Sequence, residues 1–151
     1  MPHVRQQIRE VIQATLLNLP TTGNRVFVHP VYPFEKAMLP GLAISTLTDE
    51  ADVEKSTVSK GRVHLFSRLQ LSIRAYCEGT SNVDAVLDQI EVEVRTTLMR
   101  DITLGGKAKD INWLRTDITL SGHGEQPIAM AEMVFSVEYR IADNAPDIAL
   151  P

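Results

Sequence analysis

Residues 63–77 read Val-His-Leu-Phe-Ser-Arg-Leu-Gln-Leu-Ser-Ile-Arg-Ala-Tyr-Cys. The odd positions, from Val63 through Leu65, Leu69, Leu71, Ile73 and Ala75 to Cys77, are almost all apolar. The even positions, His64, Phe66, Arg68, Gln70, Ser72, Arg74 and Tyr76, are polar or amphipathic. Side chains on a strand alternate between faces, so the stretch reads as one long strand with a buried face and a wetter face. A second stretch repeats the pattern: Ala129, Ala131, Met133, Phe135, Val137, Tyr139 and Ile141 alternate with a set containing Glu132, Ser136, Glu138 and Arg140. A strand of some fifteen residues runs about 50 Å, whereas the usual strand has about five or six residues. Strands this long are expected to project past a small core and to offer backbone donors and acceptors to a neighbour.

The chain has 151 residues and one cysteine. That length suits one domain, which can bury about 68–70% of its unfolded surface without a disulfide or metal. Cys77 falls on the apolar side of its strand and reads as a small buried hydrophobe rather than a reactive thiol. The opening Met-Pro-His-Val-Arg-Gln-Gln lacks the apolar stretch of a secretory leader, and no run approaches the length of a membrane span. The net charge of −4 is uneven. Residues 1–75 hold nine Lys/Arg against six Asp/Glu, a balance of +3, and residues 76–151 hold six against thirteen, a balance of −7. Such a balance speaks against nucleic-acid binding. It suits either ordinary solvated faces or a head-to-tail contact between identical subunits.

Around the two long strands the chain reads as follows. Val4, Ile8, Val11, Ile12, Leu16 and Leu19 form one apolar stripe, predicting a helix over 3–19 that ends at Pro20. Arg25 to His29 is a short strand, residues 30–40 are a proline-stiffened connector, and Leu42 to Leu47 is a strand. Thr48 to Gly61 is polar and dense in charge, either a mobile loop or the exposed tip of a long hairpin. Residues 49–61 are expected to be poorly ordered in a free subunit and to order against a neighbour. Ser81 and Asp84 resemble a capping box ahead of a second helix over 82–100. Gly105-Gly106-Lys107 is a flexible turn, 112–121 a strand, 122–127 a turn, and the tail from about 143 is loose. The class is α+β: a mainly antiparallel sheet with two helices on one face, in a single domain over 1–151.

Catalytic and metal-binding patterns are missing. His3, His29, His64 and His123 have neither metal-ligand spacing nor a cysteine pair. Asp101 and Ala108 stand where a phosphate-binding loop around Gly106-Lys107 needs Gly and Ser/Thr. No nucleophile elbow occurs, and Asp49, Glu50, Asp52 and Glu54 lack the glycine and final Glu of a calcium loop. The few aromatics are not interleaved with basic residues as a base-stacking platform requires. Trp113 reads as an anchor for a strand or an interface. No catalytic, cofactor-binding or metal residue is therefore expected. The charges of the polar segment and the wetter strand faces are the candidate subunit or tube contacts: Asp49, Glu50, Asp52, Glu54, Lys55, Lys60, Arg62, Arg68, Arg74, Glu132 and Glu138. Arg68 and Arg74 are expected to be exposed enough that reversing both leaves folding largely intact.

Several stretches also carry a family resemblance. They are Arg5 to Ile12, Asn24-Arg25-Val26-Phe27 with Val31-Tyr32-Pro33, Leu39-Pro40-Gly41-Leu42-Ala43-Ile44, and Met130 to Arg140. Together they resemble the tail terminator family of long-tailed bacteriophages, the minor tail protein U-like proteins. The resemblance implies a structural, non-enzymatic subunit without cofactor. Its ring, typically a hexamer, would cap the tail tube, stop polymerisation and present a surface to the head. Its implied partners are further copies of itself, the tail tube protein and the head–neck connector, with neither a membrane nor a specific nucleic-acid contact. Its place would be the head-proximal end of the virion tail, and the host cytoplasm during assembly. The resemblance assigns no individual functional residue. The alternatives are a neck or head–tail completion protein of similar fold and, in a different class, a small α+β enzyme or ligand-binding domain using Glu132 and Glu138.

Overall fold

The computed structural model describes residues 1–28, 38–59, 61–79, 82–121 and 128–151. The elements are α1 (Val4–Thr15), β1 (Val26–Val28), β2 (Gly41–Ser59), β3 (Arg62–Glu78), α2 (Val83–Leu98), β4 (Asp110–Ser121) and β5 (Ile128–Ala142). This is the expected element order and an α+β fold. The five strands form one sheet in the order β1-β2-β3-β5-β4, antiparallel except for the β1–β2 pair.

Alternation does what the sequence implies. Leu69, Leu71, Ile73, Ala75 and Cys77 of β3 and Ala129 to Ile141 at odd positions of β5 share one buried face. Both helices pack on that face. Val4, Ile8 and Ile12 sit one helical turn apart along α1, and Leu87, Ile90, Val94 and Leu98 do the same work from α2. Each fully buried Leu or Ile there contributes about 1.5–3 kcal/mol of transfer free energy. Cys77 is buried, and burial pushes its thiol above the ordinary value.

Several boundaries differ from expectation, each for a physical reason. Helix α1 stops at Thr15 rather than Leu19. Pro20 disfavours helical backbone at the residue before it, and Asn18 turns left-handed at φ 65°. Leu16 and Leu19 nevertheless stay in the core, so the apolar stripe outlives the helix. At the other end His3 caps the helix, its Nδ1 accepting from the Arg5 amide at 3.0 Å. Burial and the neighbouring Arg5 lower its pKa.

The polar segment after Thr48 is strand, not a poorly ordered loop. Asp49 to Asp52 pair with Leu69 to Phe66, and Thr57 to Ser59 pair with His64 to Arg62. Residues 53–56 loop out between those two ladders, Asp52 accepting from the Lys55 amide at 3.3 Å. The hairpin-tip alternative therefore holds, and Gly61 supplies its left-handed turn at φ +76°.

The long strands do not project as free ribbons either. β3 pairs with β5 from His64–Ala142 to Glu78–Ile128, nearly its whole length. The tail is tied down rather than loose. The Val4 amide donates to the Pro146 carbonyl and the Leu150 amide to that of Arg140, both at 2.8 Å. The Gln7 side-chain amide adds a 2.8 Å bond to the Asp147 carbonyl.

The turn at 105–107 is pinned by Asp101, which accepts from the Thr103 and Gly105 amides at 3.0 and 2.9 Å. Asn82 stands at the N-cap of α2. Ser81 of the expected capping box, His29, the connector over 30–37, Lys60 and the turn at 122–127 with His123 lie outside the described residues.

Candidate assembly surface

β3 and β5 have partners on both sides, so their backbone is consumed. The spare backbone lies at the two margins. β1 pairs only with Leu42, Ala43 and Ile44, so among the described residues β2 from Ser45 to Ser59 has no outer neighbour. Among the described residues β4 is the last strand on the opposite margin, with no outer neighbour from Asp110 to Ser121.

Both margins carry apolar side chains in water. On β2, Leu47, Val53 and Val58 are 42%, 82% and 73% exposed. On β4, Leu114, Ile118 and Leu120 are 43%, 52% and 65% exposed. Open, apolar sheet edges invite addition of another strand. Trp113 begins this strip but is engaged on its helix side, with the Arg95 guanidinium 4.2 Å from its ring centroid. Its Nε1 donates to Thr116 Oγ1 at 2.9 Å, and Thr116 in turn donates to Glu91. Trp113 thus anchors β4 to α2, as its sequence reading anticipated.

The face of the sheet opposite the helices is organised in charge rows. Glu50, Arg68, Glu138 and Asp110 stand in one cross-strand row over β2, β3, β5 and β4. Arg68 reaches Asp52 at 3.2 Å and Glu138 at 3.7 Å, and Lys55 reaches Glu138 at 3.5 Å. Lys55 also lies 5.1 Å from the Phe66 ring centroid. In a second row Arg74 faces Glu132, which on its other side faces Asp117. Arg74 donates to Ser45 Oγ at 3.0 Å, and Glu132 accepts from Ser72 Oγ at 2.9 Å. Arg74, Glu132 and Glu138 are half-buried, whereas Arg68 and Lys55 are exposed, so Arg74 is less dispensable than its strand parity implies.

Asp49 belongs elsewhere. The irregularity at Leu47 turns it to the helix side, where its Oδ2 accepts a 3.1 Å bond from Arg5 and a hydrogen bond from the Tyr139 hydroxyl. Burial and the facing carboxylate push the Tyr139 hydroxyl far above its ordinary value. The cluster staples α1 to β2 and β5. Of the other candidates, Glu50, Glu54 and Arg62 are exposed along the β2–β3 hairpin, and Lys60 lies outside the described residues. What sequence reasoning passed over is β4: Arg115, Asp117, Ile118 and Leu120. The alternation Ile118-Thr119-Leu120 reads equally as a buried strand, and only the position of α2 leaves it uncovered.

The described hollows do not involve the two carboxylates of the enzyme alternative. One, a groove of about 400 Å³ between the end of α1 and α2, is lined by Leu17, Asn18, Val92, Thr96 and Arg100 among others. Among the described residues no group of three or more His, Cys, Asp or Glu is placed to hold a metal ion. No helix among them is long and apolar enough to cross a membrane.

No family model matches the chain, and no curated protein matches it. Among solved structures it is similar to a chain from the virion of a native gene transfer agent particle. The identity is 15% and the TM-score 0.37, over 90% of this chain and 92% of that one. At that level the likeness fixes neither function nor partner.

Proposed function

We propose that this chain is a structural, non-enzymatic subunit of a long-tailed phage or prophage virion. In this reading it acts as a tail terminator, a ring that caps the tail tube and meets the head. The observation that carries the reading is the pair of open margins on opposite ends of one sheet. Two different surfaces on one subunit make a heterologous contact, and such contacts generate closed rings when the rotation closes. The resemblance of Arg5–Ile12, Leu39–Ile44 and Met130–Arg140 to the tail terminator family supplies the station in the virion. A hexamer at the head-proximal end of the tail, touching the tube protein and the connector, follows from that family. The charge rows of Arg68, Glu138, Arg74 and Glu132 offer a polar face suited to a reversible partner rather than to a permanent core.

Native mass spectrometry and negative-stain imaging of the purified chain test this, at micromolar concentration in low and moderate salt. A closed ring of defined copy number is expected. A species that stays monomeric throughout would contradict it. Deleting the gene from its phage or prophage should yield tails of uncontrolled length that fail to join heads, restored by expressing the chain in trans.

A further inference from the structure

We propose that the outer edge of β4 docks in antiparallel register on the outer edge of β2 in a second copy of this chain, with Arg115 of one copy set against Glu50 of the next. The inference rests on the ring reading and names its contact.

Three observations lead to it. First, direction: β2, β3, β5 and β4 alternate along the sheet, so a copy added beyond β2 presents β4 antiparallel to it and the alternation continues unbroken. Antiparallel partners exchange closely spaced backbone bonds and need no crossover.

Second, charge: at the β2 margin the row alternates in sign over Glu138, Arg68 and Glu50 and ends on an exposed carboxylate, while its β4 end sets Asp110 beside Glu138. Arg115, on the same face of β4, has a side chain 55% exposed that holds Asp117 through Nε at 3.0 Å, and it adds the next positive charge. The row then runs Arg115, Glu50, Arg68, Glu138 across the junction. Opposite charges directly across a strand pair stabilise it, and like charges weaken it.

Third, spacing: Ile118 lies three residues after Arg115, and Leu47 three before Glu50. The antiparallel register that sets Arg115 against Glu50 therefore sets the exposed Ile118 on the exposed Leu47. Burying both removes from water apolar surface that each copy alone leaves wet. The contact joins unlike surfaces, so it propagates head to tail rather than closing as a two-fold dimer.

The test is a charge exchange. Glu50→Arg and Arg115→Glu are made singly and together in the full chain, with melting curves to confirm that each folds. Sedimentation velocity over a dilution series then gives the concentration at which the assembly falls apart. Each single variant is expected to raise that concentration by about tenfold or more. The double variant, which restores unlike charges in the reversed sense, is expected to return to within about threefold of the unaltered chain. If the singles assemble as the unaltered chain does, or the folded double variant fails to recover, the β4–β2 contact is overturned while the ring reading stands. If the unaltered chain itself never assembles, both fall.

Discussion

β3 and β4 are strands of the same sheet with opposite economies. β3 has a partner on each side, and its residues from Leu69 to Cys77 on the helix face are buried. Among the described residues β4 has one partner strand, and its helix-face residues beyond Thr116, Ile118 and Leu120, stand in water. Both contain apolar alternation, so pattern alone does not separate them. The difference lies in what covers each: α2 packs on β3, whereas on β4 it engages Thr116 and Trp113 through Glu91 and Arg95 and leaves Ile118 and Leu120 exposed. A buried strand contributes to folding, and an uncovered one is free to contribute to association.

Substitutions should separate the two roles. Leu71→Ala in β3 removes a fully buried side chain and should cost about 2–5 kcal/mol in urea unfolding, without altering which surfaces associate. A loss below about 1 kcal/mol would mean the centre of the sheet can repack.

Reversing both Arg68 and Arg74 to Glu tests the opposite face of the same strand. The new carboxylates would stand beside Asp52, Glu138 and Glu132. Like charges in register and lost hydrogen bonds should together cost roughly 1–3 kcal/mol. That revises the expectation from strand parity for Arg74, which is half-buried, while Arg68 is exposed as parity implies. A double variant as stable as the unaltered chain would restore it.

The Tyr139–Asp49–Arg5 cluster gives a pH signature. The fold favours the neutral phenol and raises its pKa, so stability is intact below the ordinary value of 10.0. As pH climbs past that value the unfolded chain gives up its proton first, and stability declines until the folded pKa is reached. Urea midpoints at rising alkaline pH should therefore fall more steeply for the unaltered chain than for Tyr139→Phe. Parallel declines would remove Tyr139 as the cause.

The smallest expected effect is in β4. Leu120 is 65% exposed, so Leu120→Ser should change monomer stability by no more than about 0.5 kcal/mol. The same change should weaken assembly in sizing experiments.

The central layout was legible because its signals are local and repeated. Fifteen alternating residues from Val63 and the stripe Val4, Ile8, Ile12 each name their element and its buried face. The less legible parts depend on contacts between distant segments. Nothing near Asp143 announces that Pro146 and Asp147 accept bonds from Val4 and Gln7. Nothing local shows that an irregularity at Leu47 turns Asp49 toward Tyr139. The charges of the polar segment divide between two faces: Asp49 lies on the helix side, whereas Glu50, Asp52 and Lys55 join the charge rows, Glu50 at the open margin. The β4 contact residues were missed because exposure of a strand is decided by the helix that covers it.

Backbone amide exchange followed by mass spectrometry, on dilute and on concentrated protein, tests the division of labour most directly. Amides of β3 should be strongly protected in both samples. Those of β4 over 110–121 and of β2 over 45–59 should exchange fast when dilute and slow down together on assembly. Assembly with both margins still exchanging fast, and protection gained elsewhere instead, would contradict it.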